Sequence, residues 1–474
     1  MAWHDRGQRS RHSGGFLQLR PLTLALGPVA GALLGFALAA AGLSGPICWT
    51  AAITLTTAIW WVFESLPIPA ASLLPFAALP AVGVLTHQQA AAALGNPVIL
   101  LLMGGFMLSK AVEGSGLHER FALAMIRGLG GNGGRGLVFA FVATAALISM
   151  WISNAATALM LMPIAMALIA RSEDPRLAAP LVLAVAYGAT VGGIGTLIGT
   201  PPNLIFAAAY EQTTGEPFGF LRWMAIGVPI VIIAAPAVAL WLGRDLGDAE
   251  PMAIETSGRW RQPEVRVLIV FGLTVLGWIT RTAPFGGWSA ALGIEGVDDS
   301  TVALVGVLAM FVVRNGAGGP LLTWERAAEI PWGMLLLFAG GICLATGFAA
   351  SGLDELIASG VTGLATLPAA LLMLCICLVV VFLTEITSNT AVATLLMPVM
   401  AAVAAGTGTA PELLMIPTAI AASCGFMLPV GTAPNAIAYA TGQVSMARMV
   451  REGFVLNLAL TAIVTVICYL SLGR

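Results

Sequence analysis

The chain has 474 residues, of which 58% are hydrophobic and only 9% charged, and its net charge is −2. A soluble domain carries roughly 25% charged residues, so this chain cannot clothe a water-facing surface of its size, and its solvent is lipid. The near-neutral balance excludes the clustered basic face that nucleic acid requires. The six cysteines (Cys48, Cys343, Cys375, Cys377, Cys424, Cys468) sit in apolar runs without CxxC spacing or neighbouring histidines, which excludes a zinc site or a disulfide framework.

Taken in chain order, a basic tail over 1–21 precedes apolar stretches near the ~20 residues that span a bilayer. These are 22–43, 47–65, 68–86, 97–117, 222–242, 264–283, 301–316, 331–350 and 452–471. The first, behind Arg6, Arg9, Arg11 and Arg20, has the flanks of a signal peptide, but its apolar run is long for one. Four other regions are not simple spans. The stretches 138–170 and 371–404 each carry a Ser-Asn pair near the middle, and 180–210 and 413–441 are interrupted by GTPPN (199–203) and GTAPN (431–435). Proline lacks the helix-forming amide hydrogen and glycine favours other backbone conformations. The expected architecture is an all-α polytopic membrane protein with two re-entrant hairpins and two crossings unwound at their centres, eleven full crossings in all.

Charge placement supports that count. With the N-terminus inside, seventeen arginines fall in inward loops, and only Arg222, Arg281 and Arg474 fall outside, as the positive-inside bias predicts. Counting either hairpin as a full crossing would destroy the asymmetry. The N-terminus is expected in the cytoplasm and the C-terminus outside.

The sequence also repeats itself. GGFMLSKAVEGSGLHE (104–119) echoes GGICLATGFAASGLDE (340–355), SNAATALMLMP (153–163) echoes SNTAVATLLMP (388–398), and IGTPPNLI (198–205) echoes VGTAPNAI (430–437). Each element is separated from its copy by five crossings, an odd number, so the copies run in opposite directions. Inverted repeats with broken helices at matching positions are the signature of secondary transporters, whose binding sites lie near mid-membrane. The segment 243–263 joins the halves as a cytoplasmic linker.

Unwound backbone at membrane depth survives only buried in protein or lining an aqueous cavity. Its free carbonyls suit a cation, and amides at helix N-termini suit an anion. The stretches 138–170, 178–210 and 413–447 contain no Asp, Glu, Lys or Arg. Helix ends supply only about half a charge each, so a multivalent anion bound there calls for co-bound cations. That is a physical reason to couple anion uptake to a monovalent cation such as sodium. An isolated Ser-Asn pair reads as an interhelical hydrogen bond; its duplication beside a GT-x-PN break points to a site. Glu385 and Glu64 are the notable intramembrane acids, each open to a structural reading as a loop cap or to a proton-carrying one. Lys110, the sole lysine, reads as snorkelling to the interface. No Ser/His/Asp set, HExxH or ligand cluster suggests an enzyme.

With these residues in view, the chain resembles the divalent anion:sodium symporter family of di- and tricarboxylate transporters. The resemblance runs from Trp60 to the C-terminus on SMWISN-A-AT (149–157), GGIGTLIGTPPN (192–203), IPWGMLLLFAGG (330–341), FLTEITSNTA (382–391) and MLPVGTAPNAI (427–437). It implies a dimeric elevator in the bacterial inner membrane, carrying a C4-dicarboxylate such as succinate, fumarate or malate with sodium and no organic cofactor. The scaffold would comprise 22–136 and 264–369, and the transport domain 137–242 and 370–474. By motif position, one sodium would meet Ser149, Ser153, Asn154 and the Gly199 backbone; the other would meet Thr384, Thr387, Asn389 and the Gly431 backbone. Substrate carboxylates would meet Asn154, Ser388, Asn389 and Thr390, with Ala155, Thr200 and Thr432 alongside. Two positions depart from the family pattern: Ala155 replaces a threonine, and Ala433 replaces the first of two prolines. A sodium-independent exchanger, a carrier of sulfate or another small oxyanion, and an anion channel remain alternatives at this point.

Overall fold

The computed structural model describes residues 14–129, 133–172, 174–247, 259–283, 286–294, 296–360, 363 and 366–473. Most of the basic tail and the centre of the 243–263 linker lie outside the described residues. Among them the chain is helical, with one isolated antiparallel bridge between Arg314 and Pro320. The first half comprises α1 (Gly14–Ala40), α2 (Gly45–Val62), α3 (Ile68–Ala71), α4 (Leu74–Ala81), α5 (His87–Ala92), α6 (Pro97–Ser115), α7 (Leu117–Leu129), α8 (Gly133–Ser149), α9 (Asn154–Arg171), α10 (Ala178–Gly193), α11 (Pro201–Thr214) and α12 (Phe220–Gly243). The second comprises α13 (Gln262–Ile279), α14 (Gly287–Ala291), α15 (Asp299–Val312), α16 (Trp324–Ala327), α17 (Trp332–Ser351), α18 (Leu353–Gly360), α19 (Ala369–Glu385), α20 (Asn389–Thr407), α21 (Pro411–Ser423), α22 (Ala433–Ala440) and α23 (Met446–Leu472).

Of the eleven expected crossings, α1, α2, α5–α6, α12, α13, α17 and α23 are long and apolar enough by themselves. The expected span 68–86 is instead the short pair α3 and α4, because Pro75 has no amide hydrogen to continue α3 and stands in the first turn of α4. The span beginning at 301 stops at Val312, since Val313 is extended and Arg314 pairs with Pro320. The last begins earlier than 452, at Met446, where the Ser445 hydroxyl accepts the Arg448 amide. α8–α9 and α19–α20 are the two hairpins, and α10–α11 and α21–α22 the two broken helices.

The GSGL and ASGL repeats mark a device that the sequence showed only as similarity. Gly116 and Gly352 adopt left-handed φ values of 78° and 79°, ending α6 and α17. The Ser115 and Ser351 hydroxyls accept the amides of Leu117 and Leu353. The chain thereby turns into α7 and α18, whose apolar residues gather on one side, as in a helix lying at a membrane surface.

Burial grades from outside inward. Phe36, Leu240 and Val312 are each more than 70% exposed, an apolar exterior that fits lipid rather than water. Every residue of α10 from Ala179 to Gly193 is buried, as is α21 from Leu414 to Ser423. A helix apolar on all sides belongs in the interior, and these two lead directly into the unwound loops. The halves interleave there: α22 packs on α9 and α10, and α11 packs on α20 and α21. The remaining helices α1–α6 and α13–α17 make most of their contacts among themselves.

Candidate functional site

Each hairpin tip and the unwound loop beside it form one unit, and the two units share their geometry. At the tips, Ser153 (φ −56°, ψ 145°) and Ser388 (φ −69°, ψ 125°) are extended residues from which α9 and α20 start. At the breaks, Thr200 (φ −145°, ψ 146°) and Thr432 (φ −142°, ψ 151°) play the same part for α11 and α22. Pro201 and Pro202 follow Thr200, and Pro434 follows Ala433, at positions where a helix has no use for an amide hydrogen.

In the first unit the Ser149 hydroxyl donates to Asn154 Oδ1 at 2.7 Å. Gly193 closes the space below: a methyl group there would stand 2.7 Å from Asn154 Oδ1 and 3.2 Å from the Gly199 carbonyl oxygen. Ser149, Asn154 and Gly199, expected together, are thus brought together. The Ser153 hydroxyl is occupied as the cap of α9, accepting from the Ala156 amide at 3.3 Å.

In the second unit the Thr384 hydroxyl lies 2.5 Å from Asn389 Oδ1 and 2.9 Å from the Ala422 carbonyl oxygen. Three oxygens here share a single hydroxyl proton, a donor-poor cluster of the kind a hard cation completes. Ala422 was missed by sequence reasoning. It lies one residue before the end of α21, and only the fold shows that this carbonyl turns toward Thr384. The Thr387 hydroxyl donates back to the Leu383 carbonyl at 2.7 Å. Gly431 sits against the Glu385 carboxylate, where an added methyl would lie 3.1 Å from Oε2.

Two asparagines hold the loops in shape. Asn203 Nδ2 donates to the carbonyls of Gly193 and Thr196 at 2.9 and 2.7 Å. Asn435 Nδ2 donates to those of Gly425 and Leu428 at 3.0 and 3.1 Å. Both side chains are fully buried, and both leave Oδ1 without a hydrogen-bond partner.

Glu385 is a loop organiser. Its carboxylate accepts from the backbone amides of Phe426, Met427 and Leu428 at 2.7, 2.8 and 2.9 Å and from Asn457 Nδ2 at 2.7 Å. Four donors on one buried carboxylate favour the structural reading of this acid, a cap that fixes the loop after α21. Glu64 is not a buried acid: it is exposed, in a left-handed turn with φ 46° after α2. Lys110 pairs with Glu113 at 3.0 Å.

Of the residues expected on the substrate side, Ala155 lies in the first turn of α9, and Ser388 and Thr390 flank Asn389 at the start of α20, all half-buried. Thr200 is buried at the first break and Thr432 half-buried at the second, where its hydroxyl accepts from the Asn435 amide. Ala433 is exposed on the first turn of α22, where the first half has Pro201. A cleft of about 740 Å³ opens between α6–α7 and α9, lined by Glu113, His118, Glu119 and Arg171 and, two residues from Asn154, by Ala156. Among the described residues no group of three or more His, Cys, Asp or Glu could hold a metal.

Comparison with known proteins gives the family and the fold. The family described as citrate transporter (CitMHS) matches residues 58–414 and 370–473. The sodium-dependent dicarboxylate transporter SdcS of Staphylococcus saprophyticus is 36% identical over 446 residues, covering 88% of this chain and 85% of the relative. SdcS of Staphylococcus aureus is 35% identical over 443 residues, covering 88% and 84%. Among solved structures, the YdaH transporter of Alcanivorax borkumensis aligns with a TM-score of 0.59 at 16% identity, over 81% of this chain and 87% of that one. MtrF of Neisseria gonorrhoeae aligns with a TM-score of 0.55 at 14% identity, over 98% and 96%. At those identities the two structures speak for the fold alone.

Proposed function

The chain belongs to the citrate transporter family, and from that premise we propose that it is a secondary active transporter that takes up C4-dicarboxylates together with sodium. The observation that carries this reading is a pair of oxygen clusters, Ser149–Asn154–Gly199 in one half and Thr384–Asn389–Ala422 in the other, of which the hydroxyl and the asparagine are repeat equivalents and the backbone carbonyl is not. Both are made of neutral oxygens short of donors, which suit a monovalent cation. Both lie at the start of a helix (α9 or α20), whose free amides and dipole favour an anion. Sodium ions held there would supply the positive charge that no basic side chain provides within these loops. The names of the 35–36% identical relatives support the same cation and the same class of anion.

Transport proceeds by an elevator movement in this reading. α8–α12 and α19–α23 form the moving body, carried past a scaffold of α1–α6 and α13–α17 that also forms a homodimer. The N-terminus is cytoplasmic and the C-terminus outside, in the bacterial inner membrane. Arg171 at the cleft is one of the arginines on the cytoplasmic side, so the cleft between α6–α7 and α9 is the inward path to Asn154 and Ala155. At about 740 Å³ it lies within the range of small-molecule sites.

Uptake of radiolabelled succinate into proteoliposomes, with and without an inward sodium gradient, tests the reading. Saturable accumulation that needs sodium and is competed by fumarate or malate more strongly than by sulfate is expected. Equal counterflow without sodium would overturn coupling, and preferential competition by sulfate would overturn the substrate class.

A further inference from the structure

The two unwound loops are matched residue for residue by an offset of 232, which pairs Gly193 with Gly425, Ile194 with Phe426, Thr196 with Leu428 and Asn203 with Asn435. One pair breaks the symmetry. The Ile194 carbonyl accepts at 2.8 Å from Trp223 Nε1, a donor from its own half. The equivalent Phe426 carbonyl accepts at 2.8 Å from the hydroxyl of Tyr187, a donor from the opposite half 239 residues away. The position matching Tyr187 under the same offset is Ala419 in α21, which has no polar side chain to return the favour.

Tyr187 lies on α10, the fully buried helix whose last residue, Gly193, forms the floor beneath Asn154 Oδ1 and the Gly199 carbonyl. Its own exposure is 0%, and its ring meets that of Phe426 edge-on at 5.1 Å between centroids. A second acceptor, the Met449 carbonyl on α23, stands 3.5 Å from the same hydroxyl. Beyond Phe426 the path is short. The Phe426 amide donates to Glu385, and the preceding residue, Thr384, carries the hydroxyl shared by Asn389 and Ala422. One rigid helix therefore ends in the first oxygen cluster and, two turns earlier, grips the backbone of the loop that shapes the second.

We propose that Tyr187 is a positioning residue that couples the two cation sites, so that filling either one raises the affinity of the other. A cation drawing Asn154 and Gly199 together fixes the end of α10. Through the Tyr187 hydroxyl, a fixed α10 holds Phe426, and with it Glu385 and Thr384, in the geometry that receives the second cation. Coupling of this kind is reciprocal and spans about 5- to 150-fold in affinity. This rests on the sodium-coupled reading above and adds to it the residue through which the two sites act on each other.

Sodium titrations of the full-length purified protein, followed by thermal stabilisation and in parallel by succinate uptake in proteoliposomes, test it. Wild type is expected to respond with a Hill coefficient above 1. Tyr187→Phe removes only the hydroxyl, and its Hill coefficient should fall toward 1 with half-saturation raised about 5- to 10-fold, at the low end of such couplings. Uptake at saturating sodium should stay near wild type. Trp223→Phe, which removes the equivalent bond within one half, should lower the melting temperature and leave the Hill coefficient alone. If Tyr187→Phe does not purify folded, Tyr187→His, with its shorter donor, should show the same fall. An unchanged Hill coefficient in the Tyr187 variants, an equal fall in Trp223→Phe, or a wild-type coefficient of 1 would overturn the coupling while leaving sodium-driven uptake standing. Absence of any sodium response in wild type would remove the sodium reading itself.

Discussion

Asn203 and Asn435 are the same residue used twice. Each donates both amide hydrogens to two carbonyls of its own unwound loop and leaves its buried Oδ1 unpaired. The amide group stands where a cation would otherwise be needed to satisfy those carbonyls, so the loops keep their shape when no ion is bound. A preformed loop spends less of an ion's binding energy on ordering the chain.

Asn435→Leu should therefore act on the empty protein as well as on the loaded one. Two buried carbonyls would lose their donors, at a cost of roughly 1–3 kcal/mol for each group left unsatisfied. The melting temperature in sodium-free buffer should fall, and sodium should recover only part of the loss. A variant with wild-type stability without sodium would show that the loop holds itself.

Gly193→Ala tests the first oxygen cluster with one methyl group. That methyl would lie 2.7 Å from Asn154 Oδ1 and 3.2 Å from the Gly199 carbonyl, in the space enclosed by the expected ligands. Sodium-dependent uptake should be lost while the protein remains folded in detergent. The melting temperature should no longer rise with the first increments of sodium. Normal sodium activation in this variant would move the first cation elsewhere.

Much of this was legible in the chain. The paired SN and GT-x-PN motifs located both hairpin tips and both breaks, because a serine before a helix start and a proline in its first turn act locally, without help from the fold. The GSGL and ASGL repeats contained the left-handed glycines that launch α7 and α18, yet similarity alone did not say so. The tertiary partners were not legible. Ala422 contributes only a backbone carbonyl, which no side chain advertises. The four donors on Glu385 come from residues 41 to 72 positions away. Thr387, placed among the sodium ligands by motif position, lies just past the end of α19 and donates its hydroxyl proton to the Leu383 carbonyl in the last turn of that helix, a bond that motif position does not reveal.

Glu385→Gln separates a loop organiser from a proton carrier. The carboxylate accepts from three amides and Asn457, whereas a glutamine would turn an NH₂ toward at least one of those donors. Stability should drop by about 1–3 kcal/mol, the cost of an unsatisfied buried group, and sodium half-saturation should rise. The pH profile of the remaining uptake should match wild type. A stable variant in which only the pH profile changes would restore the proton-carrying reading.

Ala155 is where the chain departs from the family motif at a position proposed to face substrate, and it occupies the first turn of α9 beside Asn154. Ala155→Thr would add a hydroxyl there without disturbing Ser149 or the carbonyl of Gly199, so sodium half-saturation should stay near wild type. A single added hydrogen bond is worth about 0.5–1.5 kcal/mol, or roughly a 2- to 10-fold change in relative affinity. Competition of labelled succinate uptake by unlabelled fumarate, malate and citrate should therefore reorder by that factor in the variant. The roughly 100° between consecutive helical residues turns Asn154 and Ala155 to different faces of α9, so the two substitutions are complementary: Asn154→Ala should abolish sodium-dependent uptake, whereas Ala155→Thr should only re-rank substrates. If both variants shifted sodium affinity equally, position 155 would belong to the cation site, and the selectivity of this transporter would have to be sought on the second hairpin, around Ser388 and Thr390.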